Sequence, residues 1–396
     1  MKLGSSDDGS DDFRNVANTF GWVVEIDPFN PHSTPVKRTA MGRFAHEGAW
    51  LGPVRAGKPL VWYIGCDARN EYIYKYVSDA AWDSRDANGG LAAGDKYLDQ
   101  GKLYVARFNA DGMGNWLELS FGKNNISSNY LRYPFDNQAD VLVNTRLAAD
   151  AAGATKMDRP EWGAVHPHNG EVYMTLTNTN AASRPLSATD AANPRFYNGN
   201  PNGHIIRWAE DGADPSATIF RWDVFLFGAR ADANPNINVS RLTDDNDFSS
   251  PDGLWFANSG LLWIQTDDGA YTDVTNCMML AALPGRVGDG AKRSVVNTHA
   301  GNTRIQETFV GVEPGTNLRR FLVGPRECEI TGIVETPDGR AIFVNIQHPG
   351  EDTPANAIGE PHRYHSHWPD GGLARPRSAT IVITRNDNGL IGADYA

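Results

Sequence analysis

Cysteine is scarce in this chain: Cys66, Cys277 and Cys328 are the only three among 396 residues. Their number and scatter exclude a disulfide framework and a CxxC zinc site, leaving room for one opportunistic pair. Basic charge is also short, with 36 Lys and Arg against 48 Asp and Glu and a formal net charge of −12. No global basic surface exists to neutralise a nucleic-acid backbone or an anionic membrane, so neither partner is expected. No apolar run approaches membrane-spanning length, and Met1 to Asp12 is polar and acidic, with no signal-peptide core. HExxH, GxSxG and GxxxxGK[ST] patterns are missing too, which argues against zinc-protease, serine-hydrolase and nucleotide-triphosphatase readings. An acidic protein that handles a small anion must gather positive charge locally, as arginine or as bound metal.

What the sequence does hold is turn residues and tryptophan: 40 Gly, 23 Pro and 11 Trp. Many short strands joined by tight turns follow from that composition, so the fold class is all-β. A weak motif recurs four times: an acid opens an apolar strand, a Gly-bearing turn follows, and a second apolar strand comes next. The copies begin at His46-Glu47-Gly48, Pro160-Glu161-Trp162, Pro251-Asp252-Gly253 and Glu329-Ile330-Thr331. Further apolar strands follow each, as in Val172–Leu176, His204–Trp208 and Ile219–Trp222 after the second. Repeated units of this kind predict a β-propeller with four visible blades in one domain over 1–396, with 1–19 as loop or disordered chain. Gly21–Asp27 reads as a strand whose own blade lies upstream of Met1, so the ring is expected to be incomplete and its edges prone to self-association. Ser78 to Asp99, Asn180 to Asn202 and Glu351 to Arg377 read as functional or mobile loops.

In a propeller the innermost strand of each blade lines a central channel, so equivalent positions converge. Glu47, Glu161, Asp252 and Glu329 are such positions. Carboxylates facing one another repel unless they bind cations or share protons, and all-oxygen donors suit calcium, manganese or ferric iron. Arg159 stands two residues before Glu161 and shares its strand face, because the side-chain period is two. Two readings of that pair stay open: a metal ligand beside a guanidinium that grips phosphate, or a plain ion pair. Asp67, Arg69, His204 and Asp267 rank lower, as residues that orient the ligands. His362, His365 and His367 sit in a Pro- and Gly-bearing loop that either caps a site or lies in solvent.

At these residues the chain resembles the PhoX alkaline phosphatases, through Gly21–Pro28, Lys37–Ala49, Asp67–Val77, Ala154–Glu161, His204–Trp208, Ser250–Phe256 and Gly324–Gly332. The resemblance implies a six-bladed propeller, periplasmic or secreted, that hydrolyses small phosphomonoesters. It also implies a cluster of Ca2+ and Fe3+ ions that supplies the oxygen nucleophile. Glu47 and Glu161 would then be metal ligands and Arg159 the phosphate holder, with Asp252 and Glu329 added by blade position. Family members also carry an amino-terminal part with a cysteine ligand to iron, and none of the three cysteines here occupies that motif. A calcium-dependent propeller lactonase or esterase, and a propeller that binds without turnover, are the rival expectations.

Overall fold

The computed structural model of the protein describes residues 5, 8 and 12–392, apart from 185–189, 196–198 and 268–274. The chain forms two compact units, one made of Met1–Asp67, Glu71–Arg107 and Asn115–Thr155, the other of Ala68–Asn70, Phe108–Gly114 and Lys156–Ala396.

In the first unit an antiparallel meander runs through His46–Leu51, Pro59–Cys66, Ile73–Ala81 and Gly101–Phe108. Ile64, Tyr74, Tyr76, Leu103 and Val105 are buried with Val141, Ala148 and Ala149 of two short helices, Gln138–Val143 and Thr145–Ala152. The first helix starts where the Asn137 side chain accepts from the Asp140 amide at 3.1 Å. The second stops at Gly153, which takes the left-handed conformation that glycine adopts without strain. Val24–Glu25, within the expected strand Gly21–Asp27, pairs with Val36–Lys37. Ser78 to Asp99, expected as loop, contains the end of a strand and the helix Leu91–Leu98. Its alanines and terminal leucines are good helix formers, and Tyr97 supplies the buried anchor.

The second unit holds three antiparallel sheets, matching the second, third and fourth repeats. The first is Pro160–Val165, Val172–Leu176, His204–Glu210 and Ile219–Phe227. Pro251–Phe256, Leu262–Thr266, Met278–Ala282 and Leu318–Val323 make the second. The third has three strands, Glu329–Glu335, Ala341–Gln347 and Ala379–Thr384. All-β architecture with four propeller-type sheets is therefore what the chain adopts. An unexpected hairpin, Ala291–His299 and Asn302–Val310, interrupts the second sheet between its third and fourth strands.

Strand periodicity explains how the sheets stack. Leu262 and Ile264 are buried in one cluster with Tyr173, Ile205 and Leu226 of the preceding sheet. Trp263, which points the opposite way, belongs to another with Ile330, Ile342 and Val344 of the following sheet. Both faces of the middle sheet are thus covered, which is why its strands read as continuous apolar runs. The third sheet differs: Ile342, Val344 and Ile346 are buried, whereas Val334, Phe343 and Val382 form one cross-strand rung that is 51%, 40% and 56% exposed.

A buried charge fixes the base of the hairpin. Arg207, on the third strand of its sheet, donates to Asp223 at 2.6 and 3.1 Å and to Asp289 at 2.6 Å, and its guanidinium lies 5.1 Å from the centre of the Phe225 ring. Removing one partner of such a pair strands the other charge away from water. Arg207→Ala is expected to cost about 3 to 5 kcal/mol, against about 1 kcal/mol for the core change Ile264→Val. Urea midpoints of the two variants measure the difference, and equal midpoints would contradict it.

Candidate metal and phosphate site

Each opening strand carries one residue more than its partner allows. In the first unit the register jumps between His46 and Gly48, which pair with consecutive residues Cys66 and Gly65, so Glu47 is the surplus residue. In the second unit the jumps fall between Pro160 and Gly163, between Pro251 and Leu254, and between Thr331 and Ile333. Such bulges bend a strand and re-aim its side chains. Glu161 and Asp252 lie inside theirs, at equivalent places, both buried. Glu329 does not: it pairs directly with Gln347, and Thr331 fills the place that Glu161 and Asp252 hold. Glu329 stands instead where Arg159 stands in its own sheet.

The Arg159 and Glu161 side chains meet, with Nη2 to Oε1 at 2.5 Å. Glu161 is 2% exposed, whereas the Arg159 side chain keeps 23% of its surface, so the guanidinium reaches solvent beside a buried carboxylate. The Arg159 backbone is left-handed (φ +58°), as is Ser250 (φ +49°) at the corresponding place before Asp252. In the first unit, Glu47 and Asp67 bring carboxylate oxygens within 4.8 Å of one another. The Asp67 amide is fixed by the Ala45 carbonyl at 3.0 Å.

A buried polar network lies behind Arg159. Asp158 accepts from Arg184 Nε at 2.5 Å and from Asn200 Nδ2 at 3.3 Å. Burial pushes its carboxyl up, and Arg184 and Asn200 pull back against that. Asn200 Oδ1 accepts from Arg195 at 2.7 Å, and Arg195 also donates to the carbonyls of Gly228, Ile237 and Gly203. His204 completes the set: Nε2–H donates to the Ala192 carbonyl at 3.0 Å, so Nδ1 is the acceptor facing Asn200 Nδ2 at 3.1 Å. Burial, then the nearby Arg195 charge, holds the ring neutral with its pKa pushed down to about 3.

Other expected residues are scattered among different tasks. Arg69 donates to Asn178 Oδ1 at 3.0 Å. Asp267 anchors its amide on the Ser250 carbonyl at 3.1 Å. Burial pushes the Glu329 carboxyl up, with the Asp267 charge adding to the effect. Glu329 also accepts from Gln347 at 2.7 Å and lies 3.5 Å from His348 Nε2. The loop histidines do not converge: His365 donates to Glu327 at 2.8 Å, His367 to the Ala374 carbonyl at 2.9 Å, and His362 lies near Glu360.

The donor set suits a hard cation, because the buried acids offer oxygen alone. Among the described residues no cysteine belongs to the carboxylate cluster of Glu47 and Asp67. Burial, followed by the Glu71 charge, pushes the Cys66 thiol up to about 11, and burial pushes Cys328 up to about 12. Cys277 is packed in the apolar cluster with Cys328 and Met279. All three cysteines are buried.

Residues that composition did not reveal include Thr175, Thr177 and Gln265, all fully buried and all bonded to backbone carbonyls of the next sheet. A signal existed: Thr175 and Gln265 are each a polar residue fourth in an apolar run, Val172-Tyr-Met-Thr and Leu262-Trp-Ile-Gln.

Neutral His204 makes stability depend on pH. With an unfolded pKa near 6.5 and a folded one of about 3, the unfolded chain takes up the proton first as pH falls. The ring's contribution is therefore complete above pH 6.5 and drains away between 6.5 and 3. From pH 7 to 5 the wild type is expected to lose about 2 kcal/mol more than His204→Gln. Denaturant midpoints at the two pH values check this.

The family model for alkaline phosphatase PhoX matches residues 2–350. A solved structure of Pseudomonas fluorescens PhoX in complex with vanadate, a transition state analogue, is 40% identical with a TM-score of 0.78, and the match covers 96% of this chain but 61% of that one. A glucose dehydrogenase is 10% identical over 83% of this chain and 92% of its own, at a TM-score of 0.28. A gluconolactonase from Xanthomonas campestris is 11% identical over 82% of this chain and 95% of its own, at a TM-score of 0.20. No curated protein matches. A family model that spans most of the chain, joined to the 40% identity, establishes that the chain belongs to the PhoX alkaline phosphatase family.

Proposed function

We propose that the chain hydrolyses small-molecule phosphomonoesters as a metal-dependent alkaline phosphatase, with Glu161 and Arg159 at the centre of its chemistry. The observation that carries this reading is the contact of the two side chains at 2.5 Å, one buried and one reaching solvent. A carboxylate there binds a cation through oxygen, and the guanidinium fork offers paired donors to a phosphoryl group. Family membership supports the same chemistry, and vanadate, a phosphoryl mimic, is what the Pseudomonas relative holds.

In this reading Glu161 and Asp252 in the second unit are oxygen ligands, as is Glu47 in the first with Asp67 beside it, whereas Glu329 stands outside the place that Glu161 and Asp252 share. Ca2+ fits the donors; Fe3+ held through sulfur does not. When bound, such cations supply Lewis acidity towards phosphoryl oxygens and offset the carboxylate charge. Arg159 holds the ester and faces the charge that grows on its oxygens. The Asp158–Arg184–Asn200 network keeps the Arg159 backbone in place. Among the described residues no helix is long and apolar enough to cross a membrane, and family membership favours a periplasmic or secreted protein.

Turnover of p-nitrophenyl phosphate beside metal analysis tests the assignment. Glu161→Gln is expected to lose bound metal and kcat together, by at least the roughly 10- to 100-fold seen when groups around a metal are removed. Arg159→Ala should keep its metal while KM rises about tenfold, the loss of on the order of 1.4 kcal/mol of phosphate binding. Wild-type kinetics in both variants would defeat the proposal. Chelation with EDTA is expected to abolish turnover and calcium chloride to restore it.

A further inference from the structure

The bulges of the second unit are joined by a repeated device. Thr175, on the second strand of its sheet, faces the bulge that holds Glu161, and its hydroxyl reaches across to the next sheet. There it donates to the Asp252 carbonyl at 2.6 Å, with the Trp162 carbonyl 3.2 Å away. Thr177, two residues on and therefore on the same face, donates to the Pro251 carbonyl at 2.9 Å. One sheet later Gln265 faces the bulge of Asp252, and its Nε2 donates to the Gly332 carbonyl, inside the following bulge, at 3.2 Å. Asn345 holds the corresponding place in the third sheet, where its Oδ1 accepts from Thr380 within that sheet at 2.7 Å.

A surplus residue breaks the ladder, so carbonyls in a bulge lose their strand partners, and a buried carbonyl without a donor is costly. The hydroxyls meet that need. They also tie the backbone that carries Asp252 to the strand paired with the one that carries Glu161. We infer that Thr175 and Thr177 are positioning residues that set the separation of the Glu161 and Asp252 carboxylates, so that cation affinity depends on hydroxyls that touch no cation. The inference rests on the reading of those two acids as metal ligands.

Thr308 provides the control, since its hydroxyl is also buried and bonded to a carbonyl, Ala191, at 2.6 Å, but at the hairpin and away from any bulge. Full-length wild type, Thr175→Val, Thr175→Ser and Thr308→Val would be titrated with calcium chloride by calorimetry. Amide hydrogen exchange across Pro251–Phe256 would be followed by mass spectrometry in the absence of metal. Thr175→Val is expected to weaken calcium binding about tenfold and to speed exchange in that strand, Thr175→Ser to restore both, and Thr308→Val to change neither. Should Thr175→Val not fold, Thr177→Val is read in the same way. Wild-type affinity and protection in the valine variant, or equal losses in Thr308→Val, would overturn the inference. A wild type that takes up no calcium would defeat the metal reading instead, and the exchange rates would still decide whether the hydroxyls hold the strand.

Discussion

One surplus residue in the opening strand of each sheet is the constraint from which the site follows. A regular strand with period two would send Glu161 and Trp162 to opposite faces and pair both with the neighbouring strand. The bulge instead places two residues against Thr175 alone and turns Glu161 inward beside Arg159, and the Thr175 hydroxyl reaches from there to the Asp252 carbonyl of the adjoining sheet. Gly332 shows the same economy of space, because it is left-handed and a Cβ there would come 2.9 Å from Asn345 Nδ2. The bulged backbone and the side chains bonded to its carbonyls thus make up the surroundings of the acids.

Apolar burial supplies the rigidity that such a backbone needs. The sheet that opens with Pro251–Phe256 is covered on both faces, by Leu226 and Ile205 on one and by Ile330 and Val344 on the other. At roughly 25 cal/mol per Å² of apolar surface removed from water, side chains as large as Trp263 and Leu280 weigh heavily in holding the sheets together. Against that background Arg207 is a buried cation whose value lies in its three acceptors and two aromatic neighbours. Asp223 and Phe225 share one strand, Tyr173 lies on another and Asp289 in the loop before the hairpin, so the guanidinium fixes where the hairpin leaves the sheet.

Much of this was legible in the residues. Short apolar runs such as Val172–Leu176 and Leu262–Gln265, with an acid at the head of each repeat, announced the four sheets and placed Glu47, Glu161 and Asp252 at strand openings. The register of Glu329 was not legible, because a single inserted residue leaves no mark on spacing: Thr331 takes the place expected of Glu329. The hairpin Ala291–Val310 escaped for another reason. Lys292, Arg293 and Ser294 on one strand and Asn302, Thr303 and Arg304 on the other are all exposed, so little polar and apolar alternation is there to read. Arg184, Arg195 and Asn200 looked like loop residues, and burial turned them into a network that no local pattern encodes.

Arg159 occupies a backbone conformation that an L-residue enters only at a cost of about 1 to 2 kcal/mol. Glycine would sit there with no such penalty. Glycine at this one position would relax the main chain while deleting the cation beside Glu161, so folding and the proposed phosphate chemistry make opposite demands on it.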